Sequence, residues 1–285
     1  MMQVAFQDNP RDFLGKCGDY LRKNEIEHNL IFTLCERAEQ KIKRGEKADI
    51  NFSLLYDDDD LVLAAARTEA SNLVLSKATS LDIEKLAETL AEEQINLPGI
   101  VGPSDVAAAF ANKWTQLTGR RSIEYMDQLI YSAKHVTLPS DVRGQLRLAR
   151  ADEAPLISEW IEAFSKDVLP KTEHRDSRND FAKASEMIAA GRVFVWEVDG
   201  IAVSQVGIFG TEKIARISLL YTPPEHRGQG YAGAAIAHLS KQQLDQGKQL
   251  CCLYADARNP VSNSIYRKIG YEFVGRSSLY VLEKA

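Results

Sequence analysis

The stretch "TPPEHRGQGYAG", Thr222 to Gly233, lies between an apolar run typical of a β-strand and "AAIAHL", which is typical of a helix. Its two prolines have no backbone N–H and cannot donate a hydrogen bond to a neighbouring strand, so the strand is predicted to end there. Gly228 and Gly230 admit backbone conformations that are closed to other residues. The first N–H groups of a helix lack partners and carry a partial positive charge. With Arg227 beside them, these groups predict a cradle for a phosphate or diphosphate.

The spacing of this stretch separates it from two common phosphate motifs. Gly228 and Gly230 are followed by Gly233, which is not the dinucleotide-binding fingerprint, and no Gly-Lys-Ser/Thr follows as in a P-loop. A loop that uses glycine only to turn is the simpler alternative. The combination of the arginine, the spacing and the strand–loop–helix context favours the anion site.

The C-terminal half alternates strand-like and helix-like segments in the order β-α-α-β-β-β-α-β-α-β. Residues 145–285 are therefore predicted to form one mixed α/β domain, and their number suits a single core. The predicted helices span 151–168, 178–191, 230–247 and 260–270. The segment "DG" at 199–200 predicts a tight hairpin.

The N-terminal half, residues 1–138, also mixes helices with three or four strands. We interpret it as a degenerate copy of the second half, although no sequence repeat supports this. Polar residues 139–144 are the predicted linker. The acidic run 57–60 is predicted to be a solvated hairpin turn rather than a cation site.

Composition excludes several functional classes. The chain has 285 residues with a net charge of −5 and a pI near 5.7, which argues against a nucleic-acid partner. No apolar run has the length of a membrane span, and the N-terminus lacks signal-peptide features, so we expect a cytoplasmic protein with no membrane partner. The four cysteines have no metal-ligand spacing, so no metal site is predicted.

The decisive residues resemble those of a known family. Arg227-x-x-Gly230-x-Ala232 resembles the Arg/Gln-x-x-Gly-x-Gly/Ala motif of the GNAT superfamily of N-acetyltransferases. Downstream, "NPVSNSIYRKIGYEFVG" resembles the late motif of that superfamily, in which Asn259 opens a short helix, Tyr266 lies on it and a Gly-aromatic pair ends it. The resemblance covers about 145–285. More loosely, the whole chain resembles two-domain GNAT proteins with a divergent N-terminal half.

The resemblance implies a GNAT fold with acetyl-CoA, or another acyl-CoA, as co-substrate. It places the pantetheine arm along the strand end, the thioester where that strand splays from the next, and the oxyanion near the Tyr221 N–H. The implied cofactor-binding residues are Leu220, Tyr221, Thr222, Arg227, Gly228, Gln229, Gly230, Tyr231, Ala232 and Asn259. No CoA is expected in the first half, where "LPGIVGPSD" is the nearest equivalent loop and lacks the arginine.

Tyr266 corresponds to the general acid of the family, which protonates the leaving thiolate. A phenol with a pKa near ~10 keeps its proton at neutral pH and can donate it; the alternative is a tyrosine that only packs on the sheet. Some family members carry a glutamate base eleven residues before the motif arginine, where this chain has Arg216, which cannot accept a proton. A water chain, Glu197 or an acceptor amine of low pKa stay open as the base.

These observations predict an N-acetyltransferase that acts on a primary amine of a small molecule or a peptide. The alternative is a CoA-binding sensor or scaffold without turnover. A generic nucleotide-phosphate binder is a third hypothesis, but it gives no reason for the pattern from Asn259 to Tyr271. The acidic surface favours a cationic acceptor. A homodimer is compatible with the sequence.

Overall fold

The computed structural model describes residues 1–68, 71–168 and 178–283. Within them, eight helices and twelve strands follow one another in an order that occurs twice, β-α-α-β-β-β-α-β-α-β. The second occurrence is the order predicted for the C-terminal half. The mixed α/β fold is thus confirmed, and the repeated order supports the interpretation of the first half as a diverged copy.

The first occurrence contains six strands and four helices. The strands are β1 Met2–Gln7, β2 Ile50–Asp57, β3 Asp60–Thr68, β4 Leu73–Leu75, β5 Gly99–Pro103 and β6 Arg121–Ala133. The helices are α1 Pro10–Arg22, α2 Asn29–Lys43, α3 Ser80–Glu92 and α4 Ser104–Thr118. The sequence analysis missed β1, and the acidic run 57–60 forms the predicted hairpin turn between β2 and β3.

The second occurrence has the same composition of elements. The strands are β7 Gln145–Leu148, β8 Val193–Val198, β9 Ile201–Gly210, β10 Ile214–Tyr221, β11 Leu250–Asp256 and β12 Glu272–Glu283. The helices are α5 Ala154–Val168, α6 Arg178–Ala189, α7 Tyr231–Asp245 and α8 Pro260–Lys268. Asp199 and Gly200 both have positive φ, as the predicted two-residue turn between β8 and β9 requires.

The chain divides into two compact units. The first contains residues 1–130, 256–258 and the described residues from Val274 onward, and its strands run β1-β2-β3-β4-β5-β12-β6. Helices α1 and α2 cover one face of this sheet with Phe13, Leu21 and Ile31, and α3 and α4 cover the other. β12 joins this unit because Ser277–Val281 pair antiparallel with Gly99–Pro103, whereas the sequence analysis placed residues 274–285 with the second domain.

The second unit contains residues 131–255 and 259–273, and its strands run β11-β10-β9-β8-β7. Helices α5 and α6 cover one face through a cluster that includes Ile157, Ile161 and Val195. Helix α7 covers the other face, where His238 lies 5.1 Å from the ring of Trp196. This unit carries every residue for which a site is predicted.

The strand–loop–helix of the first unit that corresponds to β10 and α7 is β4 followed by α3. Two of the backbone N–H groups of its loop, Ser76–Thr79, are bonded to nearby side chains of the same unit. The Lys77 N–H donates to Nε2 of His28 at 2.9 Å, and the Thr79 N–H donates to Asp82 at 2.8 Å. The topological equivalent of the glycine-rich loop is therefore this short segment, not "LPGIVGPSD", which precedes α4. Three of its four backbone N–H groups, those of Ser76, Lys77 and Thr79, are therefore already engaged.

His28 is buried and neutral in this arrangement. Its Nδ1 lies 2.9 Å from the carbonyl oxygen of Leu21, and its Nε2 accepts from Lys77. Burial lowers the pKa of His28 to about 4, because the charged imidazolium would lose its hydration. The unfolded chain restores a pKa near 6.5.

The difference between the folded and unfolded pKa of His28 makes the free energy of unfolding of the first unit depend on pH. The unfolded state binds a proton at a higher pH than the folded state does. The stability that neutral His28 contributes is therefore complete above pH ~6.5 and is lost as the pH falls towards 4, by roughly 3 kcal/mol. Urea unfolding of wild type and His28→Gln between pH 7.5 and 4 measures this. The variant, which does not titrate, should show a flatter profile, and His135→Gln on an exposed histidine should keep the wild-type slope. Parallel profiles for wild type and His28→Gln would contradict the assignment.

Removal of residues 276–285 should destabilise the first unit. It deprives β5 of its antiparallel partner and removes Leu282, which is 5% exposed and belongs to the core of this unit. Loss of one large buried aliphatic side chain costs at least ~2 kcal/mol. Hydrogen exchange should become faster at β5, while the amides of β2, between β1 and β3, should change less. Unchanged protection at β5 would mean that β12 contributes little there.

Candidate functional site

A gap opens in the sheet of the second unit where two parallel strands part. Ile214–Ile217 pair with Leu250–Leu253, and there the ladder between β10 and β11 stops. β10 continues to Tyr221, and β11 continues through Tyr254 and Ala255. Beyond Ile217 the described residues give β10 no ladder partner on its β11 side. The backbone of this strand end is therefore an open edge, able to pair with an extended ligand.

The parting of the strands coincides with a bulge in β10. The register between β10 and β9 shifts between Ser218 and Tyr221, and Leu219 has a φ of 53°, in the left-handed region. A non-glycine residue seldom adopts this conformation, and such residues concentrate at functional sites. Gly207 makes room for the bulge, because a Cβ at that position would lie 3.2 Å from Cδ1 of Leu219.

A buried serine fixes the strand end after the bulge. The Ser204 hydroxyl is fully buried and lies 3.0 Å from the carbonyl oxygen of Tyr221 and 2.8 Å from Oγ1 of Thr222. Sequence reasoning missed this residue, although the pair Ser204-Gln205 is a polar interruption in an otherwise apolar strand.

The glycine-rich loop follows directly. The Arg227 side chain turns back on the strand end: its Nε donates to the Thr222 carbonyl at 2.9 Å, and its guanidinium carbon lies 5.9 Å from the centre of the Tyr221 ring. The backbone N–H of Arg227 donates to Pro224 at 3.2 Å, so the free donors of the predicted cradle begin at Gly228. The structure thus brings the predicted residues of strand end and loop together.

Two glycines of the motif have separate structural tasks. Gly230 lies directly before α7 with a φ of 81°, a conformation that costs glycine little. This turn starts the helix with the N–H groups of Tyr231, Ala232 and Gly233 in its unpaired first turn. Gly233 lets α8 approach, because a Cβ there would lie 3.2 Å from Cγ2 of Ile265.

Helix α8 carries the predicted general acid beside this first turn. Asn259 caps the helix that the sequence predicts it to open, since its Oδ1 accepts from the Ser262 N–H at 3.1 Å. Tyr266 is 8% exposed, and its ring centre lies 6.0 Å from that of Tyr131. Burial raises the pKa of Tyr266 to about 12, with the Ser262 hydrogen bond opposing the shift. The phenol therefore holds its proton at neutral pH.

The two faces of the sheet present different groups at the gap. Sγ of Cys251 lies 3.5 Å from the Ser240 carbonyl of α7, so the α7 face carries Cys251, and the next residue, Cys252, faces the other way. Tyr266 belongs with the α7 face, because its ring lies 6.4 Å from Tyr271, whose hydroxyl is 2.7 Å from that of Ser240. Tyr266 and the α5–α6 helices thus lie on opposite sides of the sheet.

Arg216 lies on the α5–α6 face, one position before the ladder ends. It pairs with Cys252, and its guanidinium carbon lies 5.2 Å from the ring centre of Phe209, which packs with the α5–α6 cluster. Burial lowers the pKa of Arg216, with Tyr254 and Cys252 opposing, but an arginine starts so high that it stays charged. No base can act from this position.

Glu197, the alternative base, is engaged elsewhere. Its carboxylate accepts from Arg147 at 2.5 Å and from Arg150 at 3.2 Å, and Gln145 lies 3.5 Å away. The hydrogen bond with Arg147 is the main reason that the pKa of Glu197 is lowered. A carboxylate held in its ionised form by two arginines is a poor proton acceptor.

Two kinds of feature are absent from residues 1–68, 71–168 and 178–283. None of the helices there is long and apolar enough to cross a membrane. No three His, Cys, Asp or Glu side chains cluster there so that they could hold a metal ion.

Comparison with known proteins agrees with this geometry. Residues 204–281 match the family described as FR47-like protein, a segment that begins at Ser204 and includes the gap, the glycine-rich loop and α8. No curated protein sequence matches the chain.

Solved structures with the same fold cover nearly the whole chain. An acetyltransferase from the GNAT family of Colwellia psychrerythraea is 12% identical with a TM-score of 0.58, covering 99% of this chain and 100% of its own. A GCN5-related N-acetyltransferase from Sphaerobacter thermophilus is 13% identical, with a TM-score of 0.62 and coverage of 99% and 95%. A tandem GNAT protein from the clavulanic acid biosynthesis pathway is 11% identical, with a TM-score of 0.56 and coverage of 100% and 98%. The predicted resemblance is thereby confirmed: this chain has the fold of the GNAT acetyltransferases, with an FR47-like segment in its second half.

Proposed function

We propose that the protein is an N-acyltransferase that moves an acetyl or other acyl group from acyl-CoA to a primary amine. The observation that carries the proposal is the gap between β10 and β11, which opens beside the glycine-rich loop and its free N–H groups. The diphosphate would lie on the donors from Gly228 to Ala232 with Arg227 beside it. The pantetheine arm would pair with the open edge Leu220–Thr222, placing the thioester in the gap.

The transfer forms a carbon–nitrogen bond and breaks the carbon–sulfur bond of the thioester. The amine gives up one proton and the departing thiolate takes one. Tyr266, on the α7 side and protonated at neutral pH, would supply the proton to sulfur. The amine would approach from the α5–α6 side, and it would lose its proton to water or arrive uncharged.

A CoA-binding protein without turnover is the second candidate. The specific observation in its favour concerns two described positions: Arg216 occupies the position of the glutamate that the resemblance leads one to expect, and Glu197 is held by Arg147 and Arg150. Tyr266 is the feature that this alternative leaves without a purpose.

Thermal unfolding with acetyl-CoA tests both candidates, with dephospho-CoA and ATP as controls. A ligand that binds only the folded state adds about 2.7 kcal/mol of stability at 100 times its Kd. Stabilisation by acetyl-CoA and not by ATP supports the CoA site, and CoA release on addition of an amine then supports the acyltransferase over the scaffold. No stabilisation at saturating acetyl-CoA contradicts both. A cytoplasmic location and a homodimer stay predictions.

Reversal of the loop charge tests the diphosphate assignment. Hydrogen bonds to charged groups contribute about 1.5–3 kcal/mol, so Arg227→Glu should weaken acetyl-CoA binding by at least ~10-fold. Titration calorimetry measures this, and Lys241→Glu, on an exposed lysine near the other end of α7, is the control. Equal affinity of wild type and Arg227→Glu would remove the diphosphate from this loop.

Removal of one hydroxyl tests the general acid. Tyr266→Phe should lower kcat by ~10²–10⁴, since general acids contribute that much, while the Kd for acetyl-CoA stays the same. Tyr271→Phe is the control, because it deletes a buried hydroxyl that bonds to Ser240 on the same face. If Tyr266→Phe turns over like wild type, Tyr266 only packs.

A further inference from the structure

The segment 134–144 between β6 and β7, which we name the strap, is fastened at its first end to the end of α8. The Thr137 N–H donates to the carbonyl oxygen of Ile269 at 3.0 Å. A Cβ at Gly270 would lie 2.9 Å from the carbonyl oxygen of His135, so the backbone of the strap passes close to this glycine. The start of the strap therefore follows the end of α8 closely.

The other end of the strap is fastened to β8. The Trp196 indole N–H donates to the carbonyl oxygen of Arg143 at 2.8 Å. Gly144 has a φ of 109°, and a Cβ at this position would clash with the carbonyl oxygen of Glu197. Glycine permits both the conformation and the close approach. The strap is thus held at two separate points of the second unit.

Between these two points the strap contacts the glycine-rich loop. A Cβ at Gly230 would lie 3.3 Å from Cγ2 of Val142, so this half-buried valine packs against the residue that directly precedes α7. Asp141, the residue before it, has a φ of 65°, a conformation that a non-glycine residue seldom adopts. Such a conformation persists only where the surrounding structure holds it, and the two fastened ends of the strap do so.

The first turn of α7 is flanked by two side chains from outside the loop. Val142 of the strap packs against Gly230, and Ile265 of α8 packs against Gly233. The carbonyl oxygen of Gly230 accepts the first hydrogen bond of α7, from the Ala234 N–H at 3.0 Å. Gly230 therefore determines where the helix begins and how its unpaired N–H groups are oriented.

Resting on the proposed function, we infer that the strap is part of the cofactor site and that Val142 is a positioning residue for the diphosphate. Val142 acts through Gly230 and needs no contact with the ligand. Glycine has the greatest backbone freedom of all residues, and the packed valine restricts it, which keeps the N–H groups from Gly228 to Ala232 in one orientation. A loop that is ordered before binding loses less entropy when the ligand binds, so its affinity is higher.

Titration calorimetry with acetyl-CoA tests the inference on the full chain. Val142→Ala removes the Cγ2 that reaches Gly230 and should raise the Kd by ~3- to 10-fold, as expected when binding must order one more flexible element. Val142→Ile keeps this atom and should bind like wild type. Leu138→Ala, on an exposed side chain of the same strap, is the matched control and should also bind like wild type.

Thermal unfolding without ligand separates positioning from packing. A valine that only packs would lower the Tm of Val142→Ala and leave the Kd for acetyl-CoA unchanged, and this result would overturn the inference while the CoA site stands. A raised Kd in Val142→Ala that Val142→Ile and Leu138→Ala do not share supports the inference.

Hydrogen exchange of the ligand-free protein keeps the inference separate from the proposed function. If Val142 holds Gly230, the Ala234 amide should exchange ~3-fold or more faster in Val142→Ala, whereas the Leu244 amide near the far end of α7 should not change. Faster exchange at Ala234 without any binding of acetyl-CoA supports the hold of the strap on the loop and counts against the proposed function alone. Unchanged exchange at Ala234 overturns the inference.

Discussion

The chemistry of the second unit depends on two parallel strands that stop pairing. Four residue pairs hold β10 to β11, and then the left-handed Leu219 turns β10 away. A sheet normally satisfies its own backbone groups, and an interrupted ladder leaves a strand edge that another molecule can complete. This interruption is stabilised by its surroundings: Gly207 makes room for Leu219, and the Ser204 hydroxyl bonds to the strand end at Thr222.

The two halves show how one fold keeps or loses such a site. In the second unit a loop of nine residues, 222–230, joins β10 to α7, and no acceptor for its N–H groups from Gly228 to Gly230 occurs among the described residues. In the first unit four residues join β4 to α3, and His28 and Asp82 use their donors. The same order of elements thus gives a candidate binding site in one half and a closed, self-satisfied connection in the other. Loop length and the neighbours of the backbone N–H groups make the difference.

Local patterns predicted much of this arrangement. The glycine-rich loop, the Asn259 cap and the hairpin at 199–200 follow from residue types whose backbone preferences act over a few positions. The pairing of β12 with β5 did not follow, since alternation predicts a strand without naming its partner. The positive φ of Leu219 could not be predicted either, because leucine has no preference for this conformation and only tertiary contacts hold it there. For Arg216 the sequence predicted only that it cannot act as a base. Its surroundings could not be predicted, since its neighbours Phe209 and Tyr254 come from other strands.

The position of β12 also has a consequence for the order of events during synthesis. Ser278 hydrogen-bonds to Ser104, and the two are 174 residues apart. At ~5–20 residues per second, a ribosome needs roughly 10–35 s to make the strand that completes β5. During that interval the nascent first unit has an open sheet edge, the kind of surface that pairs with foreign strands. Pro98 directly precedes the short β5 and Pro103 is its last residue, and neither has a backbone N–H to donate to a foreign strand. The two prolines therefore disfavour wrong pairing at this edge until β12 is made.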